Sequence, residues 1–149
     1  MTSQDVSYIT RALDREQNTQ HHVTFRFNEE TTNMITACSI RAAKGRSKVL
    51  SKPATIRLLI DLHIDLNLNQ QAIPAEKMIL ISDNPQDWLK QDTCSQLSLT
   101  LTEAQRVAIR KLEFELQKLD WSINLDRGDT IQLLIMSYGN LVKQESTAS

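Results

Sequence analysis

The chain has 149 residues, 40% of them apolar and 23% charged, and a net charge of −1. That profile fits one ordinary globular domain or two very small interlocked ones. With three Gly and three Pro there are few helix breakers, and no apolar run approaches the ~20 residues that a membrane-spanning helix needs.

Residues 1–19 are polar and read as a flexible N-terminal arm. They show neither the basic nor the apolar region of a secretory leader, so the expectation is a cytoplasmic protein with no membrane partner. From His22 to Phe27 the sequence alternates with period two. Val23, Phe25 and Phe27 fall on one face of a strand, and His22, Thr24 and Arg26 on the other. Six residues are too few for a free-standing strand, so a partner strand is required. Asn28 is placed to cap a helix whose first turn holds Glu29 and Glu30 and whose apolar stripe is Thr31, Met34, Ile35, Cys38 and Ala42. Gly45 is a stop signal, and a basic loop with Arg46 and Lys48 follows. Ser51 is the next N-cap, with Lys52-Pro53 in the first turn. The helix after it carries Ile56, Leu58, Leu59, Ile60, Leu62 and Ile64. Apolar on most sides, it is expected to be the most buried element.

Residues 67–95 form a linker too long to be structureless. Met78-Ile79-Leu80-Ile81 suggests a short extended piece, and Asn84-Pro85 the cap and first position of a short helix through Trp88-Leu89. Alternation then returns, with Leu97, Leu99 and Leu101 inward and Gln96, Ser98 and Thr100 outward. Thr102 caps a helix with the stripe Ala104, Ala108, Ile109, Leu112, Leu116 and Leu119. A loop with Trp121 and Ile123 leads to Asp126, the cap of a last helix that buries Ile131, Leu134, Ile135 and Tyr138. Gly139 lies near its expected end, and residues 143–149 read as a disordered tail.

The chain therefore contains one pattern twice, and repeats are informative about architecture. An offset of 74 pairs Val23 with Leu97, Phe25 with Leu99, Phe27 with Leu101 and Ile35 with Ile109. After one inserted residue the offset becomes 75. It then pairs Thr55 with Thr130, Ile56 with Ile131, and Leu58-Leu59-Ile60 with Leu133-Leu134-Ile135. Charge is shared unequally between the copies. Residues 20–60 hold seven basic and two acidic side chains, whereas residues 96–142 hold five basic and six acidic. The first copy is the half suited to an acidic partner.

A short alternating strand, a capped helix, a loop and a second apolar helix resemble the ribbon-helix-helix family of Arc and MetJ. The resemblance covers residues 20–66 and 96–142, with two units in one chain, an arrangement that looks like the TraY-type accessory proteins of conjugation. It implies a mainly α fold, a tandem ribbon-helix-helix forming an intramolecular pseudo-dimer from two short antiparallel strands and four core helices. It also implies a partner, double-stranded DNA, whose major groove admits a two-stranded ribbon. The base-reading row is then His22, Thr24, Arg26, Gln96, Ser98 and Thr100, with Arg26 suited to guanine and Gln96 to adenine. Phosphate contacts are implied at Ser51 and Lys52, where a helix start attracts anions, with Arg46 and Lys48 in the preceding loop. Arg127 is the counterpart in the second unit, where Asp126 and Asp129 oppose an anion. With Arg26 set against uncharged Thr100, the site is expected to be asymmetric.

No enzymatic constellation accompanies this pattern. Cys38 and Cys94 lack metal or redox spacing, and Cys38 falls on an apolar face. His21, His22 and His63 do not complete a metal site, and no cofactor motif is present. The functional expectation is a sequence-specific DNA-binding protein, a transcriptional regulator or repressor, or an accessory factor in plasmid maintenance or conjugation. It would be monomeric in solution, with side-by-side association on DNA. The alternative is a protein-interaction module, antitoxin-like or an assembly subunit, on the same fold.

Overall fold

In a computed structural model that describes residues 21–43, 49–91, 93–119 and 124–147, two distant segments pair. Strand β1 (His21–Asn28) runs antiparallel to β2 (Thr93–Leu101). Their mutual pairing supplies the partner that each short strand lacks. Among the described residues the other elements are helical. They are α1 (Glu29–Ala42), α2 (Lys52–Leu68), α3 (Ala75–Met78) with a following 3-10 turn (Ile79–Ile81), α4 (Pro85–Leu89), α5 (Glu103–Leu119) and α6 (Arg127–Thr147). The fold is thus mainly helical with one two-stranded antiparallel sheet. No helix among the described residues is long and apolar enough to cross a membrane.

The capping residues act as expected. Asn28 Oδ1 accepts from the Thr31 N–H at 2.8 Å, Ser51 Oγ from Ala54 at 3.2 Å, and Asn84 Oδ1 from Asp87 at 3.2 Å. Thr102 and Gln105 cap α5 reciprocally, side chain to backbone in both directions. Asp126 and Asp129 do the same for α6. The apolar ribbon face also lies inward, with Phe27, Leu99 and Leu101 fully or almost fully buried. Around it, α1 packs on both α2 and α6, and α2 on both α5 and α6.

The structure departs from the sequence reading in five places. The most buried helix is α6, not α2. Seven consecutive residues, Thr130 to Met136, are buried on α6, whereas Leu58 on α2 is 43% exposed. Helix α6 lies among α1, α2, α5 and β1, so even its Gln132 is enclosed. Met78 to Ile81 is helical rather than extended, because Pro74 starts a turn in which Met78 N–H reaches Pro74 O. On α5 the buried stripe is Gln105, Ile109, Leu112 and Leu116. Ala104 is exposed and Leu119 is 45% exposed, because the capping box turns Gln105 inward. Helix α6 continues through Gly139 to Thr147, past the expected boundary at 143. Gly139 instead marks a close approach, where an added Cβ would lie 2.5 Å from Met34 Cγ. Lastly, Arg26 faces Gln96 and not Thr100. In an antiparallel ribbon the repeat-equivalent residue is the cross-strand partner only at the centre.

Asn28 ties these parts together. It is fully buried at the junction of β1 and α1. Its backbone N–H donates to Gln132 Oε1 on α6 at 2.9 Å, and its Nδ2 donates to Trp88 O on α4 at 3.0 Å. Thr31 Oγ1 donates to the same Gln132 oxygen. Trp88 is anchored a second time, Nε1 to Glu30 Oε2 at 2.9 Å. Replacing Asn28 by Ala removes the cap and leaves a buried N–H and carbonyl without partners. The expected loss is about 2–4 kcal/mol, measurable as a lower urea midpoint with an unchanged m-value.

Candidate nucleic-acid interface

The ribbon has one polar face. His22, Thr24, Arg26, Gln96 and Ser98 are exposed and Thr100 is half-buried. The register sets His22 opposite Thr100, Thr24 opposite Ser98 and Arg26 opposite Gln96. Period-two alternation sends all six side chains to the same side. Two of the pairs are bonded across the ribbon, His22 Nδ1 to Thr100 Oγ1 at 3.3 Å and Thr24 Oγ1 to Ser98 Oγ at 3.1 Å. These hydroxyls retain further donor and acceptor capacity. The structure thus brings the six predicted ribbon residues into one row, with Arg26 as its one guanidinium.

The second helix of each half flanks a strand, α2 beside β2 and α6 beside β1. At the start of α2, Ser51 and Lys52 are exposed. The Ala54 N–H is occupied by the Ser51 cap, and Pro53 has no N–H. An anion there would meet the Lys52 ammonium and the remaining first-turn donors. Arg46 and Lys48 lie outside the described residues. So do the N-terminal arm, Gly45, Trp121 and Ile123, and the same holds for the Cys94 side chain.

At the start of α6 the setting is different. Arg127 shares a groove of about 570 Å³ with Thr24, Phe25, Arg26, Asp126 and Asp129. Gly128 keeps this helix start close to the ribbon, since an added Cβ would meet Phe25 Cδ1 at 3.2 Å. Two arginines and two carboxylates therefore stand beside one end of the strand pair. Burial raises the Asp129 carboxyl to about 6. The backbone bond to Asp126 opposes the shift, and the negative charge of Asp126 adds to it. Cys38, as expected, is buried, and burial pushes its thiol up.

Sequence reasoning missed a second polar cluster. His63 on α2 is only 8% exposed. Its Nδ1 lies 2.6 Å from the Tyr138 hydroxyl on α6, which also accepts from the Ile73 N–H at 2.9 Å. The available signal was the offset of 75, which makes His63 and Tyr138 equivalent positions. Among the described residues, no three His, Cys, Asp or Glu side chains cluster as metal ligands. The chain matches no family model, no curated protein and no solved structure.

The Asp129 shift has a defined sign. An acid held above its ordinary value of 3.8 contributes stability that is fully present below about 3.8 and gone above about 6. Because the carboxyl keeps some contact with water, the contribution is about 1–2 kcal/mol rather than the full value of the shift. Asp129→Asn preserves the acceptor for Asp126 N–H and removes the titration. The variant should be more stable than the parent at pH 7 and lack the decline between pH 4 and 6, read by urea melts across that range.

Proposed function

We propose that this protein binds double-stranded DNA by placing the β1–β2 ribbon in the major groove, as a two-unit, intramolecular ribbon-helix-helix protein. The observation that carries the reading is the single polar row His22, Thr24, Arg26, Gln96, Ser98 and Thr100 on an otherwise inward-facing ribbon. Such a ribbon fits the groove, and these residue types pair with base edges.

Two contacts support the two-fold part of the reading. Thr24 and Ser98 are equivalent under the offset of 74, and they face each other at 3.1 Å. His63 and Tyr138 are equivalent under the offset of 75, and they meet at 2.6 Å. Equivalent residues can touch only close to the axis that exchanges them. One contact lies on the ribbon and the other between α2 and α6, as a two-fold axis passing through both layers would require. Local chemistry repeats as well. Thr55 Oγ1 donates to Ser51 O at 2.8 Å, and its equivalent Thr130 Oγ1 donates to Asp126 O at 3.0 Å. The two first helices are anchored alike, each start being tied to the second helix of the other half. Gln132 holds the start of α1, and Asp61 accepts from Gln105 at the start of α5.

The phosphate contacts are unequal in this reading. Lys52 serves one flank of the ribbon. On the other, Arg127 acts against Asp126 and Asp129. The biological setting is regulation of transcription, as a repressor, or accessory binding in plasmid maintenance or transfer, inside the cell. Several copies would sit side by side on an extended site. The acidic start of α6 is the one observation that favours a protein-interaction module instead. A gel shift with random-sequence DNA at low salt distinguishes the two, since the interaction module gives no retarded band.

On a site selected from a random DNA pool, Arg26→Ala should cost about 1–3 kcal/mol at one base position and relax preference there. Lys52→Ala should weaken all sequences alike and lower the salt slope by about one unit. Unchanged binding in both variants rules the ribbon reading out. A core assembled within one chain also predicts a melting temperature independent of protein concentration, and a rise with concentration counts against it.

A further inference from the structure

Helices α2 and α5 do not close on each other as α1 and α6 do. At the α1–α6 crossing Met34 lies over Gly139. The equivalent positions at the α2–α5 crossing are Ala108 and Ile64, and both line a cavity of about 720 Å³. Gln70, Ala72, Ile73 and Pro74 form one wall of it. The wall is fixed at its start by the end of α2, where Gln70 takes φ 58° and Gln71 N–H donates to Leu66 O at 2.7 Å. The lining is mainly apolar, with Leu68 79% and Val107 38% exposed. A volume of this size is typical of small-molecule sites.

Its polar lining includes Asn67 and Gln70, which are exposed, and His63, which is more than nine-tenths buried. Ile73 N–H donates to the Tyr138 oxygen. Burial raises the Tyr138 hydroxyl, which keeps its proton and can donate it to His63 Nδ1, 2.6 Å away. Burial also lowers the His63 imidazole, which is therefore neutral near pH 7. A neutral ring that accepts at Nδ1 carries its proton on Nε2. The mouth holds Glu103, Lys111 and Glu115, and Glu103 is paired with Arg106 at 2.9 Å. These mixed charges give no strong preference for an ion.

We propose that the cavity between α2 and α5 binds a small, neutral, largely apolar molecule bearing one hydrogen-bond acceptor, which is seated on His63 Nε2–H. The ligand class is a ketone, ester or amide on an aromatic or alicyclic body. The site stands apart from the ribbon's polar row and does not depend on DNA binding. The apolar lining supplies affinity by burial, and the buried His63 donor orients the ligand, because leaving a buried N–H unpaired is costly.

The test is NMR titration of the full chain with acetophenone and, separately, with ethylbenzene, a body of similar size without an acceptor. Acetophenone should saturably move the methyl signals of Ile64, Val107 and Ala108 and the ring signal of His63. It should bind about fivefold tighter than ethylbenzene, the effect of one net hydrogen bond. Ala108→Phe fills the cavity and should abolish the response. Val107→Trp, at a partly exposed position that the core does not need, is a second filling variant. No saturable shift at these residues overturns the site. So does an undiminished response in a folded filling variant. Equal affinity for the two probes overturns the role of His63.

Discussion

A short β-strand with one apolar face is unstable until its backbone groups find a partner, and that constraint organises this protein. β1 and β2 are separated by the 64 residues from 29 to 92, yet each satisfies the other. Once they pair, Phe27, Leu99 and Leu101 must be covered from the same side, and the helices following both strands are drawn onto one core. The other side of the ribbon is left to polar side chains. The fold and the candidate interface thus have a common origin, because the alternation that makes an inner face also makes an outer one. The row carries the functional reading through the chemistry of its side chains, and the flanking helix starts add to it.

Much of this was legible in the sequence. The two strands, their inward and outward residues and the caps at Asn28, Ser51, Asn84, Thr102 and Asp126 follow from local rules. What the sequence did not reveal depends on tertiary neighbours. Apolar content marked α2 as the central helix, but centrality is set by how many elements surround a helix, and α6 is the one enclosed. The stripe on α5 was misplaced because Gln105, polar and apparently outward, is turned in by its bonds to Thr102 and Asp61. Gly139 suggested a helix end, although its small size serves the crossing with Met34. Arg26 was set against Thr100 because repeat equivalence was read as facing, which antiparallel geometry permits only at Thr24 and Ser98.

The linker does more than connect. Trp88 and Leu89 are buried against the start of α1, and Ala75 and Met78 against the helical core. The segment's polar anchors include Trp88 O, which accepts from Asn28 Nδ2, Trp88 Nε1, which donates to Glu30, and Ile73 N–H, which donates to Tyr138. Such bonds contribute modestly when made, and their loss leaves a buried group unpaired. The segment therefore acts as a specifying element. It holds the ribbon's base at one end and walls the α2–α5 cavity at the other.

The two-fold reading also accounts for where the halves differ. When two identical chains meet on an axis, a residue there faces its own copy and must be self-compatible. With both copies in one chain, each is free to take a complementary role. At the proposed axis a tyrosine and a histidine share one hydrogen bond, a pairing of unlike groups that two identical chains could not make. A step away, Met34 over Gly139 closes one crossing, and Ala108 near Ile64 leaves the other open. The charge follows the same division, with Lys52 at one helix start and Asp126 and Asp129 at the other. Duplication within a chain removes the requirement that both faces do the same thing. On the two-fold reading, the proposed DNA contacts and the proposed cavity both lie where the two copies differ.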